Sequence, residues 1–201
     1  MSGVPQQSRK DILNSLLLAQ LGANFKVPDI ENVLLWYHSF IDILAKIGWI
    51  IDGSDVQSFE VKDNLFEVES VIIDILTAAF GASYIVVIKK TLDAIKKLAN
   101  SDRKIKAFER STTNVSKGGF QVALVTEQDG LVSLKIGTFV LQSNNDIITV
   151  LFFKSNKQQT KLDYISNQAT LNTQIYEYNR DIVIEKLGNF VRTNIAEINL
   201  S

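Results

Sequence analysis

The sequence predicts an α+β protein. It has a helical bundle or hairpin region over residues 1–113, then a β-rich, sandwich-like region over 114–201 with a short C-terminal helix. Three observations carry that expectation. Apolar residues recur in steps of three and four up to about Arg110, and alternate from about Phe120. A polar stretch from Ser111 to Gly119, ending in Gly118-Gly119, separates the two periods. Both prolines, Pro5 and Pro28, fall early, so proline breaks no later element.

The first helix is expected from Ser8 to Leu21, with Ser8 as its cap and Gly22 after its last turn. A second helix starts at Asp29, after Pro28. Ile30, Val33, Leu34, Tyr37, Ile41 and Leu44 follow helical steps, and Gly48 and Gly53 bracket the end. A third helix would start at Ser54 or Asp55, with a heptad-like seam of Val61, Leu65, Val68, Ile72, Ile75 and Ala79. Ile85, Ile88, Leu92, Ile95 and Ala99 form the seam of a fourth helix. Gly81-Ala82-Ser83 between them permits either a tight turn or one continuous helix.

In the second region, Phe120, Val122 and Leu124 alternate with Gln121 and Ala123. Asp129-Gly130 is a hairpin signal, and Val132, Leu134 and Ile136 mark the return strand. Ser143 to Asp146 reads as a turn. Ile147 to Phe153 is nearly continuous in apolarity, as in a central strand covered on both faces. Lys154 to Gln174 is polar and reads as loop with one short edge strand. Ile175, Tyr178, Ile182 and Leu187 suit a short amphipathic helix capped by Gly188, and a strand over Ile175–Ile184 is the rival reading.

Composition removes much chemistry. The 201 residues contain no Cys and one His, which argues against disulfides, thiolate metal sites and multi-histidine sites. A net charge of −1 gives no reason to expect nucleic acid. The glycines of Gly48 to Gly53 are followed by Ser54-Asp55, where a phosphate loop needs Lys and Ser/Thr. No GxGxxG motif follows a strand, and Gly81 to Ile85 lacks the second glycine of a nucleophile elbow. His38 lies between Tyr37 and Ser39 on a helix, with no triad around it. The expectation is a non-enzymatic chain that needs no cofactor or metal.

Two features point to surfaces instead. Ile75 to Ile88 carries no charge, is too short to span a bilayer of about 30 Å, and is followed by Lys89 and Lys90. As a hairpin it would bury Ile72, Ile75 and Ala79 against Ile85, Ile88 and Leu92. If exposed, it would meet a bilayer, with Asp74 opposing entry while charged. Acids crowd Asp52 to Asp74 and bases crowd Lys89 to Arg110, which suits either antiparallel helices with complementary faces or an anionic surface. The second feature is the aromatic group of Trp36, Tyr37, Phe40 and Trp49, which suits core packing or a partner. The candidate membrane or partner residues are therefore Trp36, Tyr37, Trp49, Ile75, Ala79, Phe80, Ile85, Lys89 and Lys90. The N-terminus lacks the apolar run and cleavage pattern of a secretory signal, which predicts a cytoplasmic chain or one exported without a recognisable signal.

The break at Gly81-Ala82-Ser83 precedes a tail with Leu151-Phe152-Phe153, Leu171-Asn172, Tyr178-x-Arg180-x-x-Val183 and Lys186-Leu187-Gly188. This set resembles the accessory proteins encoded with bacterial α-helical pore-forming toxins of the motility-associated killing factor type, whose tails are similar to actinoporin sandwiches. The resemblance covers mainly residues 120–200. It implies a non-enzymatic toxin or virulence component with a membrane-interacting role, whose partners are other toxin components, another protein or an anionic membrane. It supplies no catalytic residues. The alternative is a soluble adaptor or structural interaction protein.

Overall fold

A computed structural model of the chain describes residues 4–28, 32–53, 57–59, 65–99, 113–114, 117–128, 130–144, 147, 152–156 and 160–196. The fold is mixed α+β, with helices mostly in the N-terminal half and an antiparallel sheet after them. Contacts divide the chain into two units. The first comprises Met1–Gly53, Ala123–Lys135 and Asn167–Ser201, and the second comprises Ser54–Val122 and Ile136–Ser166.

In the first unit, α1 spans Gln6–Lys26 and α2 spans Val33–Lys46. α1 is longer at both ends than its sequence signals suggest. Pro5, not Ser8, occupies the cap position, and Gly22 sits inside the helix. Gly22 is there for packing: a Cβ on it would lie 2.5 Å from the Ile43 Cδ1 atom of α2. Ile12, Ala19 and Ala23 of α1 and Phe40 and Leu44 of α2 are buried.

After α2 the chain turns at Gly48, whose φ of +112° favours glycine and whose back lies against the Tyr176 backbone. It then enters β1, Trp49–Gly53, which pairs antiparallel with Asn167–Leu171 of β8, the strand Thr160–Leu171. α5, Thr173–Ala196, follows β8. Asn172 caps it: its Oδ1 accepts the Ile175 N–H at 3.1 Å and its carbonyl accepts the Tyr176 N–H at 2.9 Å. This helix runs through Gly188, which is therefore not its cap. It is a long helix rather than a short one, and the strand alternative over Ile175–Ile184 is excluded.

α1 and α5 are fastened by a polar node. Asp11 is buried, with a side chain 6% exposed, and it accepts from Arg180 Nε and Nη2, both at 3.0 Å. Gln7 Nε2 donates to the same carboxylate at 2.9 Å. The Asp11 carbonyl accepts the Ser15 hydroxyl at 2.7 Å and the Tyr176 hydroxyl at 3.1 Å. Burial pushes the Tyr176 phenol up, and the bond to Asp11 raises the Arg180 guanidinium further.

In the second unit, β2, Gln57–Phe59, pairs antiparallel with Leu162–Tyr164 of β8, and β3, Leu65–Glu67, pairs with β7, Lys154–Asn156. α3 follows as Val68–Phe80 and α4 as Ile85–Ala99. The third helix thus begins at Val68, not at Ser54 or Asp55. Leu65 belongs to a strand rather than to the expected seam, and Val61 lies outside the described residues. β1, β2 and β3 fall within the stretch 1–113 expected to be helical. Pairing with strands distant in sequence overrides the local helical period there.

β4, Thr113–Asn114, pairs with Lys117–Gly118 of β5, Lys117–Gln128. β6, Leu131–Ser143, follows directly, with Gly130 in the connecting turn at φ +79°. The hairpin at Asp129-Gly130 is as the sequence predicts, although Asp129 lies outside the described residues. Val132, Leu134 and Ile136 are buried at alternate positions. The strand order is β1-β8-β6-β5-β4, with β2 also on β8. β8 therefore lies inside the sheet, where the polar sequence suggested a loop and a short edge strand. Of Ile147–Phe153, expected as a central strand, only Ile147, Phe152 and Phe153 are described, and none of them is in a strand. Ile147 and Phe153 are buried.

Candidate functional site

The charge-free stretch folds as a helical hairpin within the second unit. α3 ends at Phe80, Gly81 breaks the path at φ +101° and ψ 147°, and Ala82–Tyr84 form one 3₁₀ turn before α4. The Gly81 N–H still donates to the Thr77 carbonyl at 3.0 Å, and the Tyr84 N–H donates to the Gly81 carbonyl at 3.2 Å. This decides the alternative the sequence left open in favour of a turn. Gly81→Ala is expected to destabilise the protein by about 1–3 kcal/mol, because that backbone conformation is nearly confined to glycine. The site itself has room for a methyl, since the nearest atom is Ser83 Oγ at 4.0 Å. Chemical denaturation checks this, and an unchanged midpoint would show that the turn relaxes to accept a side chain.

Val71, Ile72, Ile75, Leu76 and Phe80 of α3 are buried, together with Ile88 and Leu92 of α4. The expected seam is therefore rotated: Ala79 is exposed and Ile85 only half-buried. Phe80 has far more apolar surface to hide than Ala79, so the stripe follows the larger side chain. Ala78, Ala79, Ala82, Ser83, Val86 and Val87 are exposed around the turn, Val86 at 56% and Val87 at 53%. Lys89 and Lys90, in the next turn of α4, are exposed as well. The hairpin end is thus an uncharged, largely apolar surface bordered by two ammonium groups.

The remaining charges are arranged beside it. Lys96 of α4 binds Glu69 of α3 at 2.8 Å, which raises the Lys96 ammonium pKa. The same ammonium lies 5.4 Å from the Phe152 ring centroid. Lys154 binds Glu67 at 2.5 Å and holds its carboxyl below the ordinary range. Lys89, Lys90 and Lys97 form no ion pair with another described residue. Asp74 is exposed on α3. Arg103, Lys104, Lys106 and Arg110 lie outside the described residues. Glu69 and Lys96 thus supply one pair of the complementary helix faces that the charge segregation suggested.

The aromatic candidates lie in the first unit. Trp36 is half-buried on α2, stacks on Phe40 at 5.4 Å, and donates its indole N–H to Asn24 Oδ1 at 2.6 Å. Tyr37 is buried and donates its hydroxyl to the buried Asn167 of β8, and burial pushes its phenol well up. Trp49 is buried on β1. Two of these three residues, Tyr37 and Trp49, have no free face. His38 is exposed beside Tyr37. No sequence signal points to the Asp11–Arg180 node, whose members lie 169 residues apart in the chain.

Among the described residues no helix is long and apolar enough to cross a membrane. None of their His, Asp and Glu side chains gather in threes that could hold a metal ion. No protein-family profile and no curated protein matches the chain. Several solved structures are similar to it. One is a delta-endotoxin, at 12% identity and a TM-score of 0.44, covering 83% of this chain and 81% of that one. Another is the Evf virulence factor, at 10% identity and a TM-score of 0.43, covering 96% and 77%. A third is the activated Cyt2Ba monomer from Bacillus thuringiensis subsp. israelensis, at 9% identity and a TM-score of 0.41, covering 84% and 94%. These neighbours are toxin and virulence-factor proteins of low identity.

Proposed function

We propose that this chain is a non-enzymatic component of a bacterial toxin or virulence system that meets anionic membranes through the α3–α4 turn. The observation behind this reading is the turn itself, with Ala78, Ala79, Ala82, Val86 and Val87 exposed beside Lys89 and Lys90. Small and branched apolar groups at such an end can enter the headgroup region without displacing a charge. Each neighbouring lysine adds about 1 kcal/mol at an anionic surface. The contact would be shallow. Helices of 13 and 15 residues reach only about 20 and 22 Å, short of a hydrocarbon core of about 30 Å. The toxin or virulence part of the reading comes from the resemblance of residues 120–200, and other toxin components are the protein partners it suggests.

Vesicle flotation tests the proposal with the full chain. Wild type is expected to float with phosphatidylglycerol-containing vesicles at pH 7 and not with phosphatidylcholine alone. Lys89→Glu/Lys90→Glu should weaken binding more than about tenfold, from the loss of two lysines at about 1 kcal/mol each. Ala79→Asp, at an exposed position, should fold normally and also bind less. No flotation at pH 7 or pH 5 would end the membrane reading and leave that of a soluble adaptor. Binding that neither variant changes would place the contact elsewhere.

A further inference from the structure

We infer that the outward sides of α1 and α5 form a self-complementary surface whose occupant is a second copy of this chain, related by a two-fold axis. The surface lies wholly in the first unit and does not depend on the membrane reading. α5 turns a row of apolar groups to solvent: Ile175 is 48% exposed, Tyr178 86% and Ile182 51%. Steps of three and four put them on one face. Glu177, Asp181 and Glu185, four residues apart and all exposed, form an acidic ridge along one flank of that row. Of the neighbouring bases, Arg180 is committed to Asp11 at 3.0 Å and reaches Glu177 only at 3.9 Å, and Lys186 is exposed on the opposite flank of the row, away from the ridge.

α1 shows the opposite pattern. Leu13 and Leu17 are 55% and 42% exposed, one turn apart, and Arg9 and Lys10 precede them on the same side. Its one acid, Asp11, is buried, so the exposed side of α1 presents only positive charge. Arg9 also donates its Nε to the Val4 carbonyl at 2.7 Å, which holds the guanidinium near the helix start. Single exposed apolar residues are ordinary on a protein surface. Here two packed helices each carry an apolar row, with charge of opposite sign beside it.

That opposition selects the occupant. Pairing α5 with α5 would bring acidic ridge to acidic ridge. Pairing α1 of one copy with α5 of the other sets Arg9 and Lys10 against Asp181 and Glu185, and sets leucine against isoleucine and tyrosine. A two-fold axis makes that contact twice, which is the self-matching arrangement of a symmetric dimer. Charge pairing also sets the register and makes the association salt-dependent.

Sedimentation velocity of the full chain tests this. Wild type should associate to a dimer whose dissociation constant rises at least about tenfold between 50 and 500 mM NaCl. Lys10→Glu alone, and Asp181→Lys/Glu185→Lys alone, should each be monomeric at concentrations where wild type is a dimer. All three sites are exposed, so both variants should melt like wild type. An equimolar mixture of the two variants restores both contacts and should form a heterodimer. A wild type that stays monomeric at every concentration overturns the inference. So does a dimer that survives both charge reversals, or a mixture that remains monomeric.

Discussion

Arg180→Met is expected to lower stability by about 3 kcal/mol, the lower end of what removing one member of a buried pair costs. The lower end applies because the Arg180 side chain is 27% exposed, while its partner Asp11 is only 6% exposed. The variant leaves the Asp11 carboxylate in place with Gln7, at 2.9 Å, as its one remaining side-chain donor among the described residues. The cost comes from that stranded charge more than from the lost attraction. A second variant separates the two. Asp11→Leu/Arg180→Met removes both charges and fills the site with apolar groups, so it should be more stable than Arg180→Met alone. Thermal unfolding reads this as a fall of about 6–12 °C for the single variant, at 2–4 °C per kcal/mol for a chain of this size. A single variant that melts with wild type would show that α1 and α5 are held by their apolar contacts alone. The node also carries the proposed dimer surface, because it fixes α1 beside α5. Dimerisation should therefore weaken in Arg180→Met, though no residue of the contact itself has changed.

How much of this was legible in the sequence depends on where each residue's partner lies. α2 and α4 were legible because their apolar positions recur within the helix itself. β5, its turn at Gly130 and the start of β6 were legible for the same reason, at a period of two. β8 was not, because two of its buried positions are Asn167 and Ala169. The Asn167 amide is satisfied by the Tyr37 hydroxyl from α2, far away in the chain, and no local pattern announces that bond. The strands between Trp49 and Glu67 were hidden by a coincidence: Val61, Leu65 and Val68 fall at helical steps, yet Leu65 pairs with Asn156. Gly22 and Gly188 looked like helix stops and are interior residues, since a tertiary contact can hold a helix through a poor former. Of the candidate site, the exposure of Lys89 and Lys90 followed from their charge. The burial of Tyr37 and Trp49 did not, because aromatic residues serve cores and surfaces equally well. The turn at Gly81 was one of two paths its residues offered, and the φ of +101° at Gly81 is what separates the two helices.

Phe139→Ala should cost the second unit about 3–5 kcal/mol, the usual range for emptying a buried aromatic site. Phe139 has no exposed surface. Its ring stacks on Phe120 with centroids 5.0 Å apart and faces Tyr164 at 6.4 Å, so β5, β6 and β8 all meet around it. Gly137, two residues earlier on the same strand, brings α3 close to this group. A Cβ there would lie 2.8 Å from the Leu76 Cδ2 atom and 3.0 Å from Phe139 Cε2. The glycine therefore leaves space that Leu76 and Phe139 share, and the cavity left by Phe139→Ala opens beneath the helix that carries the hairpin. Phe139→Leu keeps much of the volume and should cost less, about 1–2 kcal/mol. Urea unfolding should show the midpoint of Phe139→Ala falling with an unchanged slope, because the surface exposed on unfolding is nearly the same. If the loss stays below about 1 kcal/mol, neighbouring rings have closed the cavity, and the aromatic stack is not what holds α3 to the sheet. If the loss is as large as expected, vesicle binding by the folded variant becomes informative. A looser bed under α3 would free the turn at Gly81, and binding should then rise even though none of its exposed residues has changed.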